Sequence, residues 1–441
     1  MRKALFIASL ATVVPLGFSS AALAQAPAPS KVTSEDAGTY TLKGVAPSSS
    51  LYELSGTSIS GAPSTTQFIM TAPVEQGAPL KFENGVHLYP SLFTGIGYND
   101  NLLSDATNST QSSFINLAPK LVAEMKRKGD RYTALVSVND KRYSASSPDN
   151  TTDSQFSVAG DNYFSARARA GWSLGVLNGT DVRGANNRPL TAEAARYHSN
   201  NINGRFIYGA PEAPGRFEFD AGNVDKVYDT ERATTAVGDV STGSYAGRVF
   251  YRLGTRSLAL AEFRSAKNNY SSVLSTDSNV ERRYYAGITW EATAATTGII
   301  KVGQMTKDFD QAGKQGFSGG SWEASVRWLP LTYSAVDLQT SRAAADASGF
   351  GNYNLVTSTD ITWSHKWTQS VGSRLSLGQM NTDFGGTARQ DSAMNYGLKL
   401  DYAVYRWLKV GVDIAGTDST SNVAGNEFKR NITMLTLDAT L

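Results

Sequence analysis

His87, His198 and His365 are the chain's three imidazoles, and they fall in three separate segments. None has a neighbour at metal-ligand spacing and no HExxH pair occurs, so no metal site is expected. For nucleophilic chemistry the best set is His365 with Asp360 or Ser364 on one late segment. A histidine satisfied by its surroundings, or placed at an interface, is the stronger reading. No GxxxxGK[ST] phosphate loop appears, and Gly95-Ile96-Gly97 lacks the following glycine and helix of a dinucleotide site. The oxygen-rich clusters Asn99-Asp100-Asn101 and Asp149-Asn150 could ligate a hard cation. Those residue types also serve turns for backbone reasons, which is the preferred reading. Cysteine is absent, which rules out disulfides and cysteine zinc sites. The net charge is only +2 and no basic patch stands out, so nucleic acid is not expected as a partner. The reading is of a protein without enzymatic chemistry or cofactor.

What remains is charge in strict alternation with apolar residues. Tyr245, Val249, Tyr251 and Leu253 share one face of a segment while Arg248 and Arg252 share the other. Tyr284, Ala286, Ile288 and Trp290 oppose Arg283, Tyr285, Thr289 and Glu291; Trp322, Ala324, Val326 and Trp328 oppose Glu323, Ser325 and Arg327. Met394, Tyr396, Leu398, Leu400, Tyr402 and Val404 oppose Asn395, Lys399 and Asp401. A period of two places such faces on opposite sides of a strand. The elements that must position these charges are therefore β-strands, greasy on one side and wet on the other.

From Val86 to Leu441 about 18 such segments of roughly 10–15 residues can be marked, with 16 or 20 also open. Short turns fall near Lys128-Gly129, Ser165, Gly209–Gly215, Gly254-Thr255, Ala295–Thr297, Pro330-Leu331, Thr368–Ser370 and Arg406-Trp407. Longer polar loops fall near Asn99–Ser112, Ser144–Thr152, Gly179–Ala195, Asp229–Val240, Ser271–Ser278, Asp310–Gly316, Ala344–Phe350, Gly385–Gln390 and Thr417–Glu427. The expected fold is all-β: a transmembrane antiparallel up-and-down β-barrel of the outer membrane, with short turns towards the periplasm and long loops outside. A soluble β-sandwich or β-solenoid with a tryptophan core is the weaker alternative. A one-residue slip would send every lumenal charge into lipid, at about 2–4 kcal/mol per Arg or Lys at the midplane, so register is well specified. The candidate lumen residues are Arg248, Arg252, Glu262, Arg264, Arg283, Glu291, Glu323, Arg327, Lys399 and Asp401. Trp290, Trp328, Trp367 and Trp407 all stand beside short turns and are expected to form an aromatic girdle at the periplasmic interface.

Residues 1–24 read as a signal peptide: Arg2 and Lys3, an apolar stretch from Ala4 to Phe18, and a small-x-small site that places cleavage between Ala24 and Gln25. An uncleaved anchor is disfavoured by the short apolar run and Pro15. Residues 25–85 are rich in Pro, Ser and Gly and read as a flexible periplasmic extension, with a short strand or a plug inside the barrel as the alternative.

The barrel region, roughly Gly85 to Leu441, resembles the putative β-barrel porin 2 family. The residues that carry the resemblance are Tyr89-Pro90-Ser91, Gly97-Tyr98-Asn99-Asp100-Asn101, Arg283-Tyr284-Tyr285-Ala286-Gly287-Ile288-Thr289-Trp290, Gly319-Gly320-Ser321-Trp322-Glu323-Ala324, Val326-Arg327-Trp328-Leu329-Pro330, Trp363-Ser364-His365-Lys366-Trp367, Tyr402-Ala403-Val404-Tyr405-Arg406-Trp407-Leu408 and Phe428-Lys429-Arg430-Asn431. The resemblance implies an outer-membrane barrel that accompanies capsular and exopolysaccharide export. Its implied partners are outer-membrane lipid, the polysaccharide, a periplasmic polysaccharide-export protein and the barrel assembly machinery. One departure is Leu441, which stands where outer-membrane barrels commonly end in an aromatic residue.

Three functions follow as expectations. The first is a channel or accessory for polysaccharide export. The second is a general porin for small solutes, and the third a structural or adhesive surface barrel. The mixed signs of the inward charges suit either a hydrated uncharged solute or a cross-linked, closed interior, because a single-sign ring is what ion selectivity would demand. The long Gly179–Ala195 loop, with Arg183, Arg188 and Arg196, is expected to fold inward or to meet anionic surface sugar.

Overall fold

Residues 79–440 are described by a computed structural model, except 182–191, 211, 294, 348–350 and the side chains of 291–293. The expected signal peptide, residues 25–78, the centre of the Gly179–Ala195 loop with Arg183 and Arg188, the Glu291 side chain and Leu441 lie outside the described residues.

Among the described residues nineteen strands form one antiparallel sheet. They are β1 (Leu80–Lys81), β2 (Val86–Asn99), β3 (Ser112–Arg127), β4 (Asp130–Tyr143), β5 (Thr151–Tyr163), β6 (Ala168–Asp181), β7 (Ala195–Tyr208), β8 (Gly215–Tyr228), β9 (Val240–Arg252), β10 (Ser257–Tyr270), β11 (Asn279–Thr293), β12 (Thr296–Phe309), β13 (Phe317–Leu331), β14 (Ser334–Asp346), β15 (Tyr353–Lys366), β16 (Val371–Phe384), β17 (Gln390–Tyr405), β18 (Leu408–Ser421) and β19 (Phe428–Thr440). Each of β2 to β19 pairs with its sequence neighbour, and β19 returns to β2, so these eighteen strands close into a barrel. Closure leaves no unpaired edge, the condition a strand structure must meet in lipid. Turn and loop ends alternate as the sequence implies; one helical turn, α1 (Arg232–Thr235), lies in the loop before β9.

The apolar faces read from the sequence point outward and the charged faces inward. Tyr251, Val249, Tyr284, Tyr402 and Leu400 are exposed on the outer surface, while Arg248, Glu323 and Lys399 are buried on the inner one. Several boundaries differ from expectation. The short turn expected near Pro330-Leu331 lies just after it, at Thr332-Tyr333: β13 continues to Leu331, which pairs with Ser334, and the ladder is irregular between Trp328 and Leu331. A proline has no N–H to donate, so it occupies the irregular stretch of the strand. The expected loops at Ala344–Phe350 and Thr417–Glu427 begin later, because β14 runs to Asp346 and β18 to Ser421. With 13–16 residues in each of β2 to β19, the strands exceed the roughly 9–11 that cross a bilayer. Their loop ends thus need no lipid-type alternation.

Register gives a direct test of which face meets lipid. Ile288 faces outward between Ala259 and Ile300 on the flanking strands. Ile288→Arg is expected to cost about 2–4 kcal/mol of barrel stability. Urea unfolding in lipid vesicles measures it; an unchanged midpoint would place this face in water.

The seam joins the two ends of the barrel sequence. β2 and β19 pair from Ser91↔Thr440 to Asn99↔Ile432. Below that, β1 takes up the overhang of β2, with Leu80 opposite Leu88. Above it, the loop after β2 replaces the strand. Asn101 Nδ2 donates to the carbonyls of Asp105 and Lys429 at 2.8 and 2.9 Å. Asp100 accepts from the Asn431 backbone N–H at 2.6 Å and its side-chain amide at 2.8 Å. The oxygen-rich Asn99-Asp100-Asn101 cluster is therefore occupied in closing the barrel.

Candidate functional site on the lumenal face

Inside the barrel the inward side chains of β7 to β14 form a connected ladder of ion pairs. Arg205 and Arg248 share Asp220, each at 2.7 Å. Arg216 and Arg248 share Glu218 at 3.0 and 3.5 Å, and Arg248 reaches Glu262 at 3.5 Å. Glu262 also binds Arg264 and, at 3.1 Å, Lys301. Glu323 receives Arg264 at 2.7 Å, Lys301 at 2.5 Å and Arg283 at 3.9 Å. Arg283 and Lys307 share Glu281 at 3.0 and 2.6 Å, and Lys307 ends the ladder on Asp346. Seven cations meet six carboxylates, so the wall carries almost no net charge.

This arrangement has a local cause. Inward residues on neighbouring strands stand within reach across the ladder, and the concave side draws long side chains together across two or more strands. Arg264 on β10 thereby meets Glu323 on β13, passing Tyr285, whose hydroxyl lies 2.7 Å from Ser321 Oγ. Between Tyr285 and Ser321 in register is Gly303, where a Cβ would collide with the Tyr284 carbonyl. A glycine is required there for the strands to approach.

Of the predicted lumen residues, Arg248, Glu262, Arg264, Arg283 and Glu323 come together in this ladder. The others stand apart. Arg252 lies at the turn end, 3.8 Å from Glu212. Arg327 grips Asp337 through two bonds of 2.7 and 3.0 Å. Lys399 lies 3.4 Å from Asp401 and 3.6 Å from Asp438 on the far wall. Arg205, Arg216, Glu218, Asp220, Glu281, Lys301, Lys307 and Asp346 belong to the site and were not singled out from the sequence. Lys301 and Lys307 carried a legible signal, since both are on the even-spaced inward face of β12 with Met305.

Asp346 could not have been found that way. β13 and β14 pair from Leu331↔Ser334 up to Trp322↔Arg342, and above that Phe317–Ser321 and 343–346 have no mutual pairing. Arg342 and Thr340 belong to the outer face, where both contact Trp322. Alternation assigns Asp346 to the same face, yet it touches inward groups: Lys307, Asn279 Nδ2 at 2.8 Å and the Tyr270 hydroxyl at 2.7 Å. β15 remains paired to β14 up to Asp346↔Tyr353. The loop ends of β14 and β15 have therefore folded together into the lumen, laying their outer face on the inner face of β10 to β13. Ala343-Ala344-Ala345 supplies the small side chains for this approach; the Ala344 N–H points at Met305 Sδ at 3.3 Å, and Tyr353 packs on Phe317 at 5.4 Å.

The tryptophans flank the turns. Trp328, Trp367 and Trp407 are about half exposed (51%, 57% and 49%), and Trp290 is partly buried over Gly298. Trp407 stacks on Tyr405 at 5.6 Å, and His365 packs between Trp367 at 4.3 Å and Tyr333 at 5.4 Å. His365 shares the outer face of β15 with Trp363, whereas Ser364 and Asp360 point the other way, so these three do not converge. His198 pairs with Asp229 at 2.7 Å near a loop. Among the described residues no group of three or more metal-ligating side chains forms.

Comparison with solved structures returns outer-membrane barrels. OpdK of Pseudomonas aeruginosa, solved with vanillate, is 10% identical with a TM-score of 0.46, covering 80% of this chain and 99% of that one. A BenF-like porin from Pseudomonas fluorescens Pf-5 is 9% identical with a TM-score of 0.47, covering 81% and 99%. The FrpB iron transporter of Neisseria meningitidis, F3-3 variant, is 10% identical with a TM-score of 0.43, covering 75% and 62%. A search of curated proteins returns no match. The family described as Putative beta-barrel porin 2 matches residues 86–441, from the first residue of β2 to the end of the chain. That match spans the whole closed barrel and its charged lumen, and the chain belongs to the putative β-barrel porin 2 family of outer-membrane barrels.

Proposed function

We propose that this barrel is a non-enzymatic outer-membrane conduit for saccharide, serving the exopolysaccharide or capsular export that the family resemblance implies. The observation that supports it is the self-neutralised ladder. A wall whose charges are spent on one another neither repels nor traps a hydrated, hydroxyl-rich chain. In this reading the short turns and the tryptophan girdle face the periplasm, where a polysaccharide-export protein would deliver polymer. The assembly machinery inserts the barrel into lipid. Clean deletion of the gene is the test: polymer should accumulate inside the cell, and normal secretion would overturn the proposal.

A second reading, a porin for small solutes, is favoured by the folded-in ends of β14 and β15, which narrow the loop end of the lumen. It predicts that liposomes carrying the protein swell in glucose or maltotriose, and that deletion leaves polymer secretion intact.

A further inference from the structure

Nine lysine and arginine side chains are buried among the described residues: Lys141, Arg248, Arg264, Arg283, Lys301, Lys307, Arg389, Lys399 and Arg430. Seven of them make ion pairs with carboxylates. Lys141 and Arg430 make none among the described residues, although they come from β4 and β19, at opposite ends of the barrel sequence. The carboxylates that face them, Asp153 for Lys141 and Asp100 for Arg430, stand beyond ion-pair distance. Arg430 spends one bond on Ser104 Oγ, at 2.8 Å. Lys141 faces the ring of Phe114 at 5.5 Å, and Tyr143 packs on the same ring at 5.6 Å. Arg430 is close enough to act electrostatically on both Lys141 and Tyr143. Beside Lys141 in register is Asn116, fully buried, with neither amide oxygen nor amide nitrogen bonded to any described group.

Burying a cation without a counter-charge is costly, and so is leaving a buried amide unmet. Two such cations and one such amide on one stretch of wall, in a barrel that pairs the other buried cations, have a common explanation in anion binding. We propose that Lys141, Arg430 and Asn116 form a lumenal binding site for the carboxylate of an acidic sugar. Lys141 and Arg430 hold the oxyanion, Asn116 donates to it, and the half-buried Tyr143 ring, held in place by the buried Phe114, offers the aromatic contact for the sugar. The site deepens the saccharide reading above by naming the sugar class, and it rests on that reading.

The experiment uses the full mature chain in planar bilayers, with trigalacturonate, maltotriose and inorganic phosphate as probes of channel block. Trigalacturonate should block at a concentration at least tenfold below maltotriose. The Lys141→Met/Arg430→Met double variant should lose that preference, at about tenfold per charge-assisted contact, and Asn116→Ala should lose part of it. Equal block of wild type and double variant by trigalacturonate would overturn the site. Block by phosphate as strong as by trigalacturonate would reduce it to a plain anion site and overturn the sugar assignment. Since an unpaired buried charge destabilises, the double variant should unfold at a urea concentration no lower than wild type. A lower midpoint would make the two cations structural and overturn the proposal. If maltotriose neither blocks nor passes, the failure belongs to the saccharide reading; if it passes and trigalacturonate shows no preference, the failure belongs to this site.

Discussion

Glu262→Gln with Glu323→Gln is expected to turn the barrel into an anion-selective pore and to weaken it. These two carboxylates are the junctions of the ladder: Arg248, Arg264 and Lys301 converge on Glu262, and Arg264, Lys301 and Arg283 on Glu323. Neutralising both removes two negative charges and leaves four cations sharing what remains. Stripping one partner from a buried pair costs about 3–5 kcal/mol, because the other charge stays desolvated. Water in the lumen will relieve part of that cost. The surplus positive charge lines the path an ion must take, so the zero-current potential in a salt gradient should move towards the anion value. Urea unfolding should show a lower midpoint. Wild-type selectivity in a correctly folded double variant would mean that no permeating ion passes this wall. Glu212→Gln, remote at the turn end beside Arg252, is the control and should change neither reading.

Asp346→Ala is expected to raise single-channel conductance. The loop ends of β14 and β15 lie inside the barrel with no strand pairing to β13, and one carboxylate ties them down. Asp346 meets Lys307, Asn279 and Tyr270 on three strands. Apolar contacts also hold the flap, among them Met305, Phe317, Ala344 and Leu355. Without the carboxylate, Lys307 keeps Glu281 at 2.6 Å and remains paired, so the variant should fold. The flap loses its polar anchor, about 1.5–3 kcal/mol for bonds to a charged group when no buried charge is left unpaired, and should spend more time withdrawn. A larger or noisier open state in planar bilayers is the expected record. Tyr270→Phe removes one bond and should give a smaller change in the same direction. Conductance unchanged in both would mean that the ends of β14 and β15 do not narrow the path.

The structure also shows why the resemblance is carried by scattered residues. Gly97-Tyr98-Asn99-Asp100-Asn101 and Phe428-Lys429-Arg430-Asn431 are more than three hundred positions apart, yet they meet at the seam through Asp100, Asn101, Lys429 and Asn431. Gly319-Gly320-Ser321 marks where β13 parts from β14, with Arg342 bonded to the Gly320 carbonyl at 2.7 Å. Trp363-Ser364-His365-Lys366-Trp367 builds an aromatic cluster beside a turn. These fragments are short because each serves one junction of a large closed sheet.

Alternation along the chain determined by itself the strands, their faces and the rhythm of turns and loops, and placed the strand number near the eighteen that close the barrel. It could do so because the two sides of a barrel wall meet opposite solvents, and a period of two records that contrast residue by residue. It also determined that Arg248, Glu262, Arg264, Arg283 and Glu323 point inward. Only the tertiary structure decided whom they meet. Partner choice depends on how far the wall curves, which residue lacks a side chain so that another can cross, and where a strand leaves its neighbour. Asp346 is the clearest case: its place in the alternation assigns it to the outside, and the fold carries that outside face into the lumen.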